Sequence, residues 1–343
     1  MMRLLIGNYV DGCIWQLELG WNDNRSRACE DLRFVNIQSI FEPRGPQAEQ
    51  ITELGWVLIV GGAVIFVVVV ALTAYAILAR AGRKQWLTGS GFVIGAGVVF
   101  PTIVLFALLV YTLLATSKLI RADAPAVRIE VIGEQWWWRV HYLDEKGGRD
   151  FVTANELHVP VGRSIEVVLK TADVIHSFWV PHLHGKIDMI PGRVNRMNFT
   201  VDRAGVSRGQ CAEYCGGPHA QMALYVVASS PETFEQWRTQ QRAAAVTPAK
   251  ERLQRGQQLF LTRACAGCHV VRGTEAMGDR GPDLTHVGSR LSIGAGILPN
   301  NVGTIAGWIA SSQHIKPGNL MPSFAVFSGE ELQALAEYMA SLK

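Results

Sequence analysis

The sequence predicts a multidomain membrane protein with three parts: a two-helix transmembrane hairpin, a β-sandwich or barrel, and an all-α domain. Three observations predict this fold class. A segment without acidic residues, between Glu53 and Asp123, contains two long apolar runs. Short stretches that alternate apolar and polar residues begin near Val127, and a helical pattern begins at Lys250. With 343 residues, the chain has room for two or three domains.

The composition points to lipid rather than nucleic acid as a partner. Hydrophobic residues make up 49% of the chain and charged residues 18%, below the roughly 25% charged residues usual in soluble domains. The net charge is only +3, which excludes the strong basic character of a nucleic-acid-binding surface. We therefore expect contact with membrane lipid and none with nucleic acid.

The apolar runs, residues 54–78 and 91–116, each reach the roughly 20 residues that a membrane-spanning helix needs. Buried core helices are the alternative, but two charge-free runs of this length favour the membrane. The connection carries Arg80, Arg83 and Lys84 and no acid, which predicts a cytoplasmic loop. The later domains then lie on the periplasmic or outer face of a bacterial inner membrane, anchored by a multi-pass hairpin.

Five segments follow from these patterns, and the first is the hardest to interpret. Residues 1–40 have no sustained apolar region and make a poor signal peptide; Cys13 and Cys29 there could pair or be free. The predicted boundaries are 1–40 for this segment, 41–120 for the hairpin, 121–242 for the β domain, 243–249 for a linker and 250–343 for the all-α domain.

Short strands separated by Gly, Asp and Pro predict the β domain. Clear strand patterns are "ELHVPVG", "SIEVVLK", "NRMNFTV" and "ALYVVAS". The pattern ends near Ser230, and a helix is predicted with Pro231 near its start. The small-residue run "AAAVTPA" then predicts a linker.

The all-α domain carries "CAGCH", residues 265–269, the attachment signature of a c-type haem. The thiols of Cys265 and Cys268 are spaced to add to the two vinyl groups of one porphyrin, and His269 then supplies an axial nitrogen. A redox dithiol would not need the histidine. A zinc site would need further ligands at a compatible spacing.

The sixth iron ligand should be a soft or imidazole donor downstream. Met321, in the irregular Pro/Gly loop "KPGNLMPSF", is the predicted ligand because such a loop can wrap the far face of the haem. The rival donors are Met277, too close to His269, Met339 in the closing helix, and two histidines, His286 and His314.

Residues 250–343 resemble small class I bacterial cytochromes c, through "CAGCH", "GPDLTHVGSR" and "KPGNLMP". The resemblance implies that the Gly-Pro-Asp-Leu stretch lines the haem edge, with Pro282 near His269. It also suggests Arg290 as a partner for a haem propionate. An electron carrier is the implied function.

A second cluster, "CAEYCGGPHAQM", combines soft donors within twelve residues. Thiolates of Cys211 and Cys215, the imidazole of His219 and the thioether of Met222 together select copper over magnesium or calcium. Two thiolates can bridge two coppers. A disulfide would leave the other donors unexplained, and structural zinc would ignore the methionine.

A further imidazole should come from elsewhere in the β domain. His176, in "ADVIHSFWVP", follows a predicted strand and is the best candidate. His182 and His184 are rivals in the polar loop "PHLHGK" and are not expected to be ligands.

Residues 45–230 resemble subunit II of haem–copper cytochrome c oxidases, whose copper domain is cupredoxin-like. The matching motifs, in order after the hairpin, are "GEQWWW", "HSFWVP", "DMIPGR" and the copper loop. With the haem domain, the chain resembles caa-type oxidases. The resemblance implies a dinuclear CuA centre bridged by the two cysteines, with two more donors per copper: His176 and Met222 on one, His219 and the Glu213 carbonyl on the other.

The same resemblance assigns further roles. Trp136 would lie where electrons reach the copper, while Trp137 and Trp138 could serve only packing. The Glu213 carboxylate would face a magnesium or manganese ion at the border with subunit I, with Asp188 nearby. Neither of these roles follows from the residues alone.

The implied function is subunit II of a terminal oxidase. Electrons would enter at the haem, pass through CuA and leave to the haem of subunit I, which reduces oxygen and pumps protons. The expected partners are subunit I, subunit III and a donor, either cytochrome c or an upstream reductase. The alternatives are a CuA-containing subunit of a nitric oxide reductase and a membrane-anchored electron shuttle without a catalytic partner.

Overall fold

The computed structural model describes residues 37–83, 85–119 and 124–343. The N-terminal segment up to residue 36, including Cys13 and Cys29, lies outside the described residues. Within them the chain forms a helical hairpin, a two-sheet sandwich and a helical domain, in the order that the sequence predicts.

The hairpin consists of two helices that are long and apolar enough to cross a membrane. In each helix, the most apolar stretch has no residue buried within the protein. The second helix is interrupted by one π-helical turn just before Pro101. The bounds are α1 Pro46–Leu78, α2 Ser90–Ile94, the π-turn Gly95–Val99 and α3 Phe100–Leu119.

Helix α1 begins eight residues before the apolar run from which the first span was predicted. Pro46 at the first helical position suits a helix start, because its missing N–H would be unpaired there in any case. The additional turns contact the sandwich: Ala48 is buried, and the Gln47 Oε1 accepts a hydrogen bond from the Thr200 N–H at 3.2 Å. The membrane hairpin is thereby fixed to the β domain.

The β domain is a sandwich of two five-stranded sheets, ordered β3-β2-β1-β5-β8 and β4-β10-β9-β6-β7. Its fully buried side chains include Ile129, Val131, Trp138 and Phe178, which fill the space between the sheets. The strands are β1 Val127–Glu134, β2 Trp137–Leu143, β3 Arg149–Ala154, β4 Glu156–Pro160, β5 Ser164–Thr171, β6 His176–Trp179, β7 Ile187–Met189, β8 Asn195–Thr200, β9 Gly205–Cys211 and β10 Ala223–Ser229.

Helix α4, Pro231–Arg242, closes one edge of the sandwich. Ser230 caps it by accepting a hydrogen bond from the Thr233 N–H, as expected for a serine at this position. Arg238 and Arg242 both pair with Asp150 on β3, which holds the helix against the first sheet.

The C-terminal domain is built from three helices and a small two-stranded sheet. Its elements are α5 Glu251–Thr262, β11 Ser292–Ile293, β12 Leu298–Pro299, α6 Val302–Ile315 and α7 Gly329–Ser341. Ser328 and Glu331 form a reciprocal capping box at the start of α7. Helices α5 and α7 pack together around Phe260 and Tyr338.

The contact between α5 and α7 depends on Gly256, because a Cβ there would lie 2.2 Å from the Ala334 carbonyl oxygen. We expect Gly256→Ala to destabilise the C-terminal domain by about 1–3 kcal/mol, since the helices must separate. Gly307→Ala on α6 is the control: a Cβ there has no neighbour within 4 Å, so we expect a gain of about 0.5–1 kcal/mol. Thermal unfolding followed by haem absorbance would measure both, and equal effects would contradict the prediction.

Candidate copper and haem sites

The soft donors meet at one end of the second sheet. Cys211 is the last residue of β9, and His176 is the first residue of β6. These strands are paired in the sheet, with Phe178 opposite Cys211. The loop between β9 and β10 supplies the other donors, Cys215, His219 and Met222, so sheet pairing brings the distant histidine to the loop.

The two thiols form the centre of this cluster. The Cys211 and Cys215 Sγ atoms are 3.7 Å apart. The Cys211 Sγ lies 3.7 Å from the His176 Nδ1 and 3.2 Å from the Glu213 carbonyl oxygen. The Cys215 Sγ lies 3.4 Å from the His219 Nδ1 and 3.9 Å from the Met222 Sδ. Each sulfur therefore has its own pair of neighbouring donors.

The cluster is buried, and hydrogen bonds within it shift the pKa values of its thiols and of His176. Both thiols, His176 and Met222 are buried. Because Cys215 hydrogen-bonds to Cys211, the pKa of Cys211 is lowered, and that bond together with burial raises the pKa of Cys215. Burial would lower the pKa of His176, but hydrogen bonds to Asp173 and Cys211 raise it to about 9. Two cysteine sulfurs, two imidazoles and a thioether in one buried cluster are a donor set that fits copper, and binding of the metal would displace their protons.

Asp173 orients the upstream histidine. Its Oδ1 lies 2.8 Å from the His176 Nε2, which leaves the His176 Nδ1 directed at the cysteine. The same carboxylate accepts hydrogen bonds from the backbone N–H groups of Gln135 and Val174, each at 2.7 Å. Asp173 is not among the ligand-associated residues predicted from the sequence, although its position three residues before the histidine is a usable signal.

We expect Asp173→Ala to weaken copper binding by roughly 10–100-fold, the usual effect of removing the hydrogen-bond partner of a ligating histidine. Asp173→Asn keeps an acceptor oxygen for the His176 Nε2–H and should lose less. Competition with a copper chelator would measure both affinities. Equal losses for Ala and Asn would show that the hydrogen bond to the imidazole is not what matters.

The three successive tryptophans have different surroundings. The Trp136 Nε1–H donates to the Cys215 carbonyl at 2.9 Å, which places its ring beside the copper loop. Trp137 stacks under the Arg139 guanidinium, 4.7 Å from the ring centre. Trp138 is fully buried in the sandwich. Trp136 contacts both the copper loop and the C-terminal domain, where Gly318 approaches its ring.

The Glu213 carboxylate lies on the outside of the copper loop. Its Oε2 accepts a hydrogen bond from the Lys186 Nζ at 2.8 Å, and the same ammonium lies 3.3 Å from the Asp188 Oδ1. Both carboxylates are partly exposed. One cation thus already bridges the two acids, and a metal ion there would have to displace it.

The histidines of "PHLHGK" do not join the cluster. His182, which the sequence analysis places in a polar loop, is fully buried, and its Nδ1 lies 3.1 Å from the Ser207 Oγ. The His184 Nδ1 lies 3.1 Å from the carbonyl oxygen of the next residue, Gly185. His182 is buried because its carbonyl accepts from the Arg44 N–H, which joins this loop to the start of the hairpin.

The predicted haem-attachment residues lie on the turn after α5, where Cys265 is half-buried and Cys268 exposed. The His269 Nδ1–H donates to the Pro282 carbonyl at 2.8 Å, which leaves its Nε2 available for iron. A Cβ on Gly281 would lie 2.5 Å from the His269 Cε1, so the glycine makes room for this ring. This donor arrangement fits a c-type haem.

The loop of Met321 is held firmly. The Met321 carbonyl accepts hydrogen bonds from the Ser312 Oγ at 2.8 Å and the Gln313 Nε2 at 2.7 Å, and its N–H donates to the Asn319 Oδ1 at 2.8 Å. Its side chain packs against the same apolar cluster as Cys265.

The rival axial donors are placed differently. Met339 is buried within α7, and Met277 is 75% exposed. The His286 Nε2 lies 3.1 Å from the Ala243 carbonyl of the linker, and His314 is exposed. Arg290, the suggested propionate partner, donates through Nη2 to the Asp283 carbonyl; its buried Nε has no hydrogen-bond partner among the described residues. That free donor fits an anionic group.

Comparisons with known proteins agree on two regions. Residues 127–229 match the family described as "Cytochrome C oxidase subunit II, periplasmic domain", and residues 253–343 match "Cytochrome c". The chain is 35% identical over 315 residues to a protein of Alkalihalophilus pseudofirmus named "Cytochrome c oxidase subunit 2", covering 88% of this chain and 90% of that one.

A protein of the same name from Bacillus subtilis is 30% identical, covering 74% of this chain and 76% of that one. Among solved structures, the periplasmic domain of cytochrome oxidase subunit II from Bradyrhizobium japonicum is 31% identical, with a TM-score of 0.33. It covers 36% of this chain and 97% of that one.

Proposed function

The chain belongs to the cytochrome c oxidase subunit II family, and from this premise we propose the route that electrons take through it. It is a membrane-anchored subunit of an oxidoreductase complex, and its two matched domains imply a CuA centre and a haem c. Electrons enter at the haem, pass beside Trp136 to CuA, and leave to the haem of subunit I. There oxygen is reduced to water and protons are pumped.

The proposed copper ligands are the donors around the two thiols. Cys211 and Cys215 bridge the coppers, with His176 and Met222 on one copper, His219 and the Glu213 carbonyl on the other. The distances support this arrangement, because each sulfur lies next to one proposed ligand of each copper. The Cys211 sulfur lies next to His176 and the Glu213 carbonyl, and the Cys215 sulfur lies next to Met222 and His219. When bound, CuA would hold an electron shared between two coppers, and the chain's part is to provide a rigid, buried frame.

The proposed haem site uses Cys265 and Cys268 for covalent attachment, with His269 and Met321 as axial ligands. Support comes from the His269 tautomer, fixed by the Pro282 carbonyl, and from the hydrogen bonds that hold the Met321 backbone. Arg290 would direct its free Nε at a propionate.

Trp136 carries the proposed electron route. Its indole N–H bonds to the carbonyl of Cys215, and its ring carbons lie 3.6 Å from the position of a Cβ on Gly318. Gly318 is three residues before Met321 in the loop of residues 316–321, which we call the haem loop. One aromatic ring thus contacts the loops of both metal centres, and this observation carries the proposal.

We also propose a magnesium or manganese ion at the border with subunit I, held by Glu213 and Asp188. The carboxylates share the Lys186 ammonium, so a divalent ion would compete with Lys186. The proposed setting is the bacterial inner membrane, with both metal domains on the periplasmic face. Besides subunit I, the proposed partners are subunit III, membrane lipid and a donor, either cytochrome c or an upstream reductase.

The test is to purify the full chain from membranes together with the proteins that accompany it. We expect about two coppers per covalent haem beyond any copper held by the partner, a many-span haem protein in the complex, and oxygen consumption with reduced cytochrome c. Faster consumption of nitric oxide than of oxygen would favour the nitric oxide reductase alternative. Isolation without a haem-bearing partner would favour the membrane-anchored shuttle.

A further inference from the structure

Lys316 places a buried amino group between the two metal-binding domains. It follows helix α6 and is only 2% exposed. Its Nζ donates to the carbonyl oxygens of Trp136 at 2.7 Å, Gln221 at 2.7 Å and Gly294 at 3.0 Å. An ammonium has three N–H donors, so all of them are used. Burying a charge without such bonds would be strongly unfavourable.

The three carbonyls come from three different segments. Trp136 lies next to β2 in the sandwich, Gln221 lies in the copper loop between His219 and Met222, and Gly294 belongs to the turn between β11 and β12. One side chain of the haem domain is thereby bonded to the tryptophan segment and to the copper loop at once.

The segment after Lys316 leads directly to the haem ligand. Gly318 approaches the Trp136 ring two residues later, and Asn319 bonds to the Met321 N–H. The Asn319 side chain also donates to the Lys316 carbonyl at 2.7 Å. Lys316 and Met321 are therefore two ends of one short, hydrogen-bonded loop that lies against Trp136.

Other bonds hold the rim of this interface without Lys316. The Leu291 N–H donates to the Glu156 Oε2 at 2.8 Å, and the Arg139 Nη2 donates to the Asp279 carbonyl at 2.7 Å. Loss of Lys316 should therefore loosen the contact around Trp136 without separating the domains.

We propose that Lys316 is the positioning residue that fixes the haem loop against Trp136 and so sets the rate of electron transfer from the haem to CuA. This inference rests on the proposed function. Electron tunnelling between two centres slows as the gap between them widens, so a loop that shifts away from Trp136 lowers the transfer rate. Trp136 is in contact only while the loop stays in place.

The test replaces Lys316 by methionine in the intact oxidase. We expect Lys316→Met to slow haem-to-CuA transfer several-fold, measured after rapid reduction of the haem. Reduction of the haem by external cytochrome c should keep its rate. Oxygen consumption should recover when a small photoreductant reduces CuA directly, because the later steps do not use Lys316.

A second readout does not depend on electron transfer. Hydrogen exchange of the full chain with copper and haem bound, in detergent, should speed up at the Ala223 amide, which bonds to the Ala295 carbonyl across the interface, and in residues 316–321. Lys250→Met, an exposed lysine at the start of the same domain, is the matched control and should change neither readout. Lys316→Gln keeps part of the hydrogen bonding and should fall between.

Unchanged transfer and exchange in Lys316→Met would overturn the inference while leaving the proposed function intact. Loss of the copper or haem spectrum in both Lys316 variants would also overturn it, since Lys316 would then belong to the fold of a single site. Failure of the unaltered chain to show both spectra would instead count against the proposed function.

Discussion

Cys215→Ser should abolish the CuA centre and reduce oxygen consumption with cytochrome c to the assay background. A serine hydroxyl is a hard donor that stays protonated and cannot replace a bridging thiolate. The Cys215 sulfur is the shared neighbour of Cys211, His219 and Met222, so its loss leaves no common bridge. Electron paramagnetic resonance of the purified complex would show the signal of a single copper or none.

The same variant should retain its haem. The covalent site is formed by a separate domain, so the haem should still be reduced by the external donor and then remain reduced. Ser177→Ala is the control: this buried hydroxyl adjoins His176 and has no hydrogen-bond partner among the described residues, so its removal should leave copper bound. Normal turnover in Cys215→Ser would rule out the bridging role.

The copper loop could be predicted from the sequence because its chemistry is local. Cys211, Cys215, His219 and Met222 fall within twelve residues, and soft donors at that density have few other uses. His176 needed one further step, because it lies 35 residues before Cys211 and at the start of a strand that must reach the same end of the sheet. Its outcome depends on the pairing of β6 with β9, which the residues alone do not determine.

Asp173 and Lys316 could not be predicted in the same way. An aspartate in "TADVIH" and a lysine in "HIKPGN" are both ordinary surface residues by pattern. Asp173 becomes a partner of His176 only through the turn before β6, and Lys316 is buried only because two domains pack together. Contacts between domains are non-local, so no periodicity or spacing reports them. For the same reason the earlier start of α1, which packs on the sandwich, was missed.

Met321→Leu should lower the midpoint potential of the haem by a large part of the roughly 0.8 V range that axial ligands span. Methionine sulfur stabilises ferrous iron, whereas leucine is similar in shape but has no atom that can bind iron. The loop should keep its place, because Ser312, Gln313 and Asn319 hold the Met321 backbone and not its side chain. A redox titration of the purified complex would measure the change.

Two methionines of the same domain serve as controls. Met277→Leu changes an exposed side chain and Met339→Leu a buried one in α7, and neither should move the potential by a comparable amount. A large shift of the midpoint potential in Met277→Leu, with none in Met321→Leu, would show that Met277 and not Met321 is the axial ligand. Met339→Leu separates loss of a ligand from loss of core packing.

The two active-site variants also test the order of the electron route, because they should leave the haem in opposite states during turnover. In Cys215→Ser electrons arrive but cannot leave, so the haem should be mostly reduced. In Met321→Leu the lowered potential hinders reduction by the donor, so the haem should be mostly oxidised while CuA remains intact. If the haem were instead a side branch and Trp136 received electrons directly from outside, Met321→Leu would consume oxygen at the normal rate. The approach of Gly318 to the Trp136 ring argues against that branch, since the loop of the haem domain already contacts the ring.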